Sequence, residues 1–189
     1  MGIKERQERD RETVQRAILD AARELFVSEG YSNVSMRKIA ERVEYSPAAL
    51  YGYFPSKDDI FFALAEEGFR LLHAGAAADA SELDALPPRD RLREKFWRLY
   101  RFSCDQPQYF ALMFVDRTVP RVSREYERLG FAREIKTHML AEVQQCIDAG
   151  VFPATVPPMV AFRMLTTGLL GVAVMRLSDR LGPAENAGE

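Results

Sequence analysis

An all-α fold is predicted from three observations. Apolar residues recur at i, i+3 and i+4 through segment after segment, Ser or Ser-Pro caps precede several of those segments, and no run alternates apolar with polar residues as a strand would. In ETVQRAILDAARELFVSE, residues 12–29, Val14, Ile18, Ala21, Ala22 and Leu25 fall on one helical stripe, and Gly30 is placed to end it. Ser35 caps a short helix, MRKIAERV, which buries Met36, Ile39, Ala40 and Val43. Ser46 caps the next, with Pro47 at the first helical position where a missing N–H costs nothing, and the helix AALYGYF runs to Pro55. Ser56 opens a fourth, KDDIFFALAEEGFRLLHAGAAA, whose Asp58 and Asp59 suit a positive N-terminal end.

A small-residue stretch, AGAAADASELDALPP, then divides the chain near residues 75–88. RDRLREKFWRLYRFSC reads as a helix with Leu92, Phe96, Leu99 and Ser103 on one stripe and Trp97, Tyr100 and Cys104 on its neighbour. Pro107 opens a shorter apolar helix, PQYFALMFVD, and after Pro120 a long helix runs to Gly150, with Ile135, Met139, Val143 and Ile147 four apart. The loop VFPATVPP leads to a last helix, apolar almost all round, and then to a polar tail, GPAENAGE. No internal repeat is visible.

With 189 residues, 47% hydrophobic and 29% charged, the chain can bury a real core and is not disordered. The net charge of −2 gives no global sign of a nucleic-acid partner. Cys104 and Cys146 lack CxxC spacing and His73 and His138 stand alone, so no metal, cofactor or catalytic cluster assembles, and reduced thiols in a cytoplasmic protein are expected. The N-terminus has no signal-peptide pattern. Residues 156–175 are apolar but broken by Arg163, Thr166 and Thr167, so a helix buried in a soluble assembly is expected there and no membrane partner.

The two short helices joined by EYS have helix-turn-helix proportions. In that arrangement Ser46, Pro47, Ala48 and Ala49 would face base edges. The alanines permit a close approach and can touch a thymine methyl, but offer no bidentate hydrogen bond. Arg37 is a further candidate for base or phosphate. Tyr51 and Tyr53 either pack or donate their hydroxyls to phosphates, contacts that position without specifying sequence. Ser56 with Lys57, and Ser35, sit at helix starts that attract anions. From Tyr31 to Lys57 there are four basic residues (Arg37, Lys38, Arg42, Lys57) against two acidic (Glu41, Glu44), a weak patch. Residues 4–16 interleave basic and acidic side chains and read as a solvated helix extension.

The run ILDAARELFVSEGYSNVSMRKIAERVEYSPAALYGYFPSKDDIF resembles the N-terminal DNA-binding domain of TetR-type transcriptional regulators, over about residues 14–62. The resemblance implies DNA contacts from Ser35, Arg37, Ser46, Pro47, Ala48, Tyr51, Tyr53 and Lys57. It also implies a helical ligand-binding and dimerisation domain beyond, so the division expected is 1–57 and 58–189. Two departures stand out. Glu44 occupies a turn position where glycine is common, and Gly52 replaces a larger side chain.

In the second domain Trp97, Tyr100, Cys104, Phe110, Met113, Phe114, Met139, Phe162 and Met164 are bulky, adaptable apolar groups. They are either core or the wall of a pocket for a small hydrophobic or aromatic effector. Val160, Leu165, Leu169, Leu170, Val172, Met175 and Leu177 point in too many directions for one core, and Gly168 and Gly171 admit a neighbouring helix closely. A homodimer is expected, the last helix packing with the 121–149 helix and its symmetry mates and presenting two recognition helices to a palindromic double-stranded operator. The function expected is a ligand-responsive repressor rather than an enzyme. The competing readings are a helical interaction protein and a ligand-independent DNA-binding protein.

Overall fold

The computed structural model describes residues 2–77, 80–120 and 130–181. Among them every regular element is helical, in agreement with the all-α expectation. The chain divides into two compact units: Met1–Glu67 with Ala111–Leu129, and Gly68–Phe110 with Gly130–Glu189. The division expected at 57/58 falls at the start of the fourth helix, whereas the first unit continues to Glu67 and takes in a segment from much later in the chain.

In the first unit, α1 (Ile3–Glu29) carries the N-terminal arm as a helical extension, as expected. Its stripe buries Ile18, Ala21, Ala22 and Phe26. Gly30 ends it at φ 80°, a conformation open to glycine at little cost, and its N–H returns to the Phe26 carbonyl at 3.0 Å. A single 3-10 turn (Tyr31–Asn33) follows, placing the Tyr31 ring against Phe26 (centroids 5.0 Å) and Phe61 (5.8 Å). Then come α2 (Met36–Arg42), α3 (Pro47–Tyr51) and α4 (Lys57–Ala77). Met36, Ile39, Leu50, Phe54, Ile60, Phe61 and Leu64 complete the core.

The third helix stops at Tyr51 rather than at Phe54. The Gly52 N–H bonds to Ala49 and the Tyr53 N–H to Leu50, each at 3.0 Å, so the last turn tightens to three-residue spacing. The Phe54 N–H still reaches the Leu50 carbonyl at 3.0 Å, which keeps its ring in the core.

The second unit holds α5 (Ala80–Asp84), α6 (Pro88–Asp105), α7 (Pro107–Phe110), α8 (Gly130–Asp148) and α9 (Pro158–Leu177). Residues 121–129 of the long helix predicted after Pro120, and the tail from 182, lie outside the described residues. Leu92, Phe96, Val143, Cys146 and Ala161 form the core cluster, with Met139, Phe162, Leu165 and Leu169 packed against it. An ionic cluster that the sequence pattern did not suggest joins α6 to α8: Glu142, largely buried, accepts from Arg91 Nε at 2.7 Å and from Lys95. Burial alone would raise the Glu142 carboxyl. Hydrogen bonds from Lys95 and Arg91 outweigh it and hold the group below the usual carboxylate range.

The segment from Pro107 differs from the single helix predicted. Only the four residues of α7 are α-helical, and the chain then widens into a π-turn, Ala111–Val115, closed by the Asp116 N–H on the Ala111 carbonyl at 2.9 Å.

By length and composition α9 could cross a membrane, and only 11% of its most apolar window is buried. Its exposed stripe carries Val160, Met164, Val172 and Met175, with Gly168 and Gly171 between them.

Candidate nucleic-acid interface

The recognition element is built by a cap, a proline and a buried anchor. Ser46 Oγ accepts the Ala49 N–H at 3.1 Å, Pro47 fills the first helical position, and fully buried Leu50 fixes the helix to its unit. Ser46, Pro47, Ala48 and Ala49 are therefore all left at the surface with no large side chain among them. Tyr51, 52% exposed, stands at the end of the same face. Tyr45, in the turn before Ser46, is exposed as well.

The turn adopts the conformation that glycine would favour. Glu44 has φ 59°, so this side chain sits in the left-handed region at a local cost, while Tyr45 N–H closes the turn on the Ala40 carbonyl at 2.9 Å.

Tyr53 is placed differently from Tyr51. It is half-buried, with the Arg11 guanidinium 5.3 Å from its ring centroid, and Arg11 also donates to the Gly52 carbonyl at 3.2 Å. Arg11 thus braces the end of α3 from the N-terminal arm. No local pattern announces this contact, because the two partners stand 41 positions apart. Gly52 itself is tight: a Cβ there would stand 3.1 Å from the Ala49 carbonyl oxygen.

Lys57 lies at the start of α4, but its ammonium turns inward. Nζ donates to the carbonyls of Tyr31 (2.8 Å) and Val34 (2.9 Å) and rests 4.0 Å from the Tyr31 ring centroid. Burial lowers its pKa, with Asp58 partly opposing. One of its three N–H groups remains beyond those two carbonyls. Ser56 Oγ accepts the Asp59 N–H at 3.2 Å and donates to the Asp59 carboxylate at 2.6 Å.

Ser35 caps α2 by accepting the Lys38 N–H at 3.2 Å. Arg37, fully outside, pairs with Glu41 at 2.8 Å, Arg42 pairs with Glu24 at 2.9 Å, and Lys38 with Glu29. The Arg37–Glu41 and Arg42–Glu24 pairs are exposed and contribute little, whereas Lys38–Glu29 is partly buried.

In the second unit an open groove of about 700 Å³ has Leu92 and Phe96 as its floor. Arg89, Arg93 and Trp97, four apart on α6, form one wall, and Phe152, Leu165 and Leu169 the other. Trp97 is 44% exposed and stacks on Tyr100 (centroids 5.1 Å, 25° between planes). Behind it the Arg176 guanidinium lies 5.8 Å from the Tyr100 ring and donates to the Ser103 carbonyl at 2.7 Å.

Of the nine residues predicted as pocket wall, this groove takes only Trp97. Tyr100 is one layer behind and Cys104 is half-buried on the same helix. Phe110 is fully buried, Met139 and Phe162 pack against the core cluster, and Met164, 70% exposed, lies on the outer stripe of α9. Met113 and Phe114 belong to the first unit. Among the described residues no group of three or more His, Cys, Asp or Glu side chains could hold a metal ion.

The first unit thus has a helix-turn-helix arrangement, with an N-capped second helix that leads with small exposed residues. The family description "Bacterial regulatory proteins, tetR family" matches residues 18–64 of the chain. Over 64 residues the chain is 36% identical to the HTH-type transcriptional repressor Rv1474c of Mycobacterium tuberculosis, covering 34% of each chain. It is 38% identical over 50 residues to the HTH-type transcriptional repressor AcnR of Corynebacterium diphtheriae, covering 26% of each. These matches span about a third or less of the curated relatives' length.

Likeness along most of the chain is a likeness of fold. The fatty acid degradation regulator FadR from Bacillus halodurans superposes with a TM-score of 0.70 at 16% identity, over 87% of this chain and 85% of that one. The TetR family regulator PfmR from Thermus thermophilus gives 0.65 at 23%, over 82% of both. AibR, solved with isovaleryl coenzyme A and operator DNA, gives 0.67 at 20%, over 84% of this chain and 85% of that one.

Proposed function

We propose that the protein is a cytoplasmic, dimeric transcriptional repressor whose hold on a palindromic operator is released by a small, largely apolar effector. The observation that carries this reading is the N-terminal half of α3. Its four leading residues are exposed, small and held in register by the Ser46 cap and the Leu50 anchor. Ser46 and Ala48 approach the groove floor, and Tyr51, with Ser35 and Arg37 at α2, reaches the phosphates to either side. Lys57 contributes through its remaining N–H.

The apolar outer stripe of α9 supports a second copy of the chain as its partner, which brings two heads to half-sites about one helical turn apart. The exposed face of α8 is polar (Glu134, Thr137, His138, Gln144), so the contact centres on α9. The apolar groove beside Trp97 supports an effector, and the fold shared with AibR and with a Bacillus subtilis FadR solved with stearoyl-CoA supports the same reading. Ligand and DNA then oppose each other reciprocally.

Selection from a random duplex library, followed by titration of the selected sequence at several salt concentrations, tests the reading. A two-fold symmetric site bound with a steep salt dependence is expected. No sequence enriched over the starting pool would favour a helical interaction protein instead.

A further inference from the structure

The groove in the second unit has a chemical polarity that its apolar floor alone does not suggest. Arg89 and Arg93 lie on one wall, one turn apart, both exposed and both upstream of Trp97. Arg93 stands a loose 3.7 Å from Asp90, and Arg89 makes no ion pair with any described residue. One carboxylate lines the groove, that of Glu94. It is already engaged, 2.9 Å from Arg101 and 3.7 Å from Arg98. Among the described residues the mouth therefore carries one guanidinium without an ion pair, Arg89, beside the loosely paired Arg93, while Leu92, Phe96, Leu165 and Leu169 offer only apolar surface along the rest.

A void of this size falls within the range of small-molecule sites, which are mostly apolar with a few polar groups to fix orientation. A guanidinium pair is suited to a carboxylate, which it can meet with two parallel hydrogen bonds. A purely apolar ligand would leave this charge unused, and a cation would be repelled by it.

We propose that the groove binds an amphiphilic carboxylate, its apolar chain lying over Leu92, Phe96, Leu165 and Leu169 and its head group held by Arg89 and Arg93. This rests on the ligand-responsive reading above and gives the effector a chemical class. Trp97 closes one side of the bound chain.

Trp97 is the single tryptophan of the chain, so tryptophan fluorescence reports on this groove. Decanoate, 1-decanol and decylammonium, each below its aggregation threshold, are titrated against the full-length protein. Decanoate is expected to shift the Trp97 emission with at least tenfold higher affinity than decanol, and decylammonium to bind more weakly than either. In the double substitution Arg89→Gln with Arg93→Gln, the advantage of decanoate over decanol disappears while decanol is bound as before. Arg89→Glu with Arg93→Glu reverses the order in favour of decylammonium.

These side chains are exposed, so circular dichroism and melting temperature are expected to stay unchanged in both variants. Equal affinity for decanoate and decanol in the unaltered protein would overturn the proposal. So would a Trp97 signal insensitive to all three probes, the result expected if a second copy of the chain covers the groove. The two readings fail separately. Decanoate that binds at Trp97 without weakening the selected DNA complex keeps the site and removes its role as effector site.

Discussion

The backbone N–H of Tyr31 donates to the carboxylate of Asp116 at 3.2 Å, across 85 positions of sequence. Asp116 also accepts the Thr118 N–H (2.8 Å) and hydroxyl (2.7 Å), and Thr118 Oγ in turn accepts the Ser32 N–H at 3.3 Å. The segment after the π-turn is thereby clasped to the short turn that leads into α2. Burial pushes the Asp116 carboxyl up, but the Thr118 and Tyr31 hydrogen bonds prevail and hold it below the usual range. Asp116→Ala is expected to cost about 1–2 kcal/mol, since it removes charge-assisted bonds from two backbone donors. Chemical denaturation of the two proteins side by side measures it, and an unchanged midpoint would show the clasp to be incidental.

Lys57 divides into a structural and an electrostatic part. Lys57→Met keeps an apolar stem of similar length but removes the ammonium from the Tyr31 ring and leaves the Tyr31 and Val34 carbonyls without their donor, at a cost of about 1–2 kcal/mol in stability. If the remaining N–H meets a phosphate, the slope of log affinity against log salt also falls by about one. A shallower slope with unchanged stability would assign this lysine to DNA alone.

Tyr51→Phe removes one hydroxyl from a side chain that is half exposed and makes no hydrogen bond with any described residue. It is expected to weaken DNA binding about uniformly across sequences and to leave the melting temperature alone. Arg11→Ala, by contrast, is expected to lower both, because it frees the Gly52 carbonyl and uncovers the Tyr53 ring.

Glu44→Gly is expected to stabilise the protein by about 0.5–1 kcal/mol. Relief of the left-handed strain at φ 59° exceeds the entropy that glycine adds to the unfolded chain. Thermal melts of the two proteins, with Glu44→Ala as a control that retains the strain, would show it.

Glu142 makes stability depend on acid. Its carboxyl is depressed in the folded state, so the unfolded chain binds the proton more tightly. The stabilisation is complete above the ordinary value of 4.5 and is lost as pH falls through the lower folded value. Glu142→Gln leaves Arg91 and Lys95 without their counter-charge and is expected to cost about 3 kcal/mol at neutral pH. Denaturation midpoints at pH 7 and pH 4 should therefore lie closer together in the variant than in the parent.

What the sequence made legible was what short-range chemistry decides. Ser35, Ser46 and Ser56 each cap the helix assigned to them, Gly30 takes its positive φ, and Ile18, Ala22, Ile39 and Leu50 turn inward as their spacing requires. Contacts made at a distance were not legible. Nothing near Arg11 points to Tyr53, nothing near Asp116 points to Tyr31, and the turn from α-helix to π-turn at Ala111 has no residue to announce it. The groove was hidden for the same reason. Trp97 could be singled out as a bulky side chain on α6, but the other wall comes from residues more than fifty positions later. Of the tyrosine pair, whose packing and phosphate roles the sequence left open, Tyr51 is exposed and Tyr53 packs beneath the Arg11 guanidinium.

Under the proposed pairing, the bare stripe of α9, from Val160 through Met164 to Met175, would tie the fate of each molecule to how many others are present. Newly made chains that had not met a partner would keep this surface wet and be exposed to proteases and chaperones, while paired chains would gain stability by mass action. Under the dimer reading, a repressor that limits its own abundance would thus thin out more steeply than its synthesis declines, and a modest fall in expression would be felt at the promoter as an abrupt one.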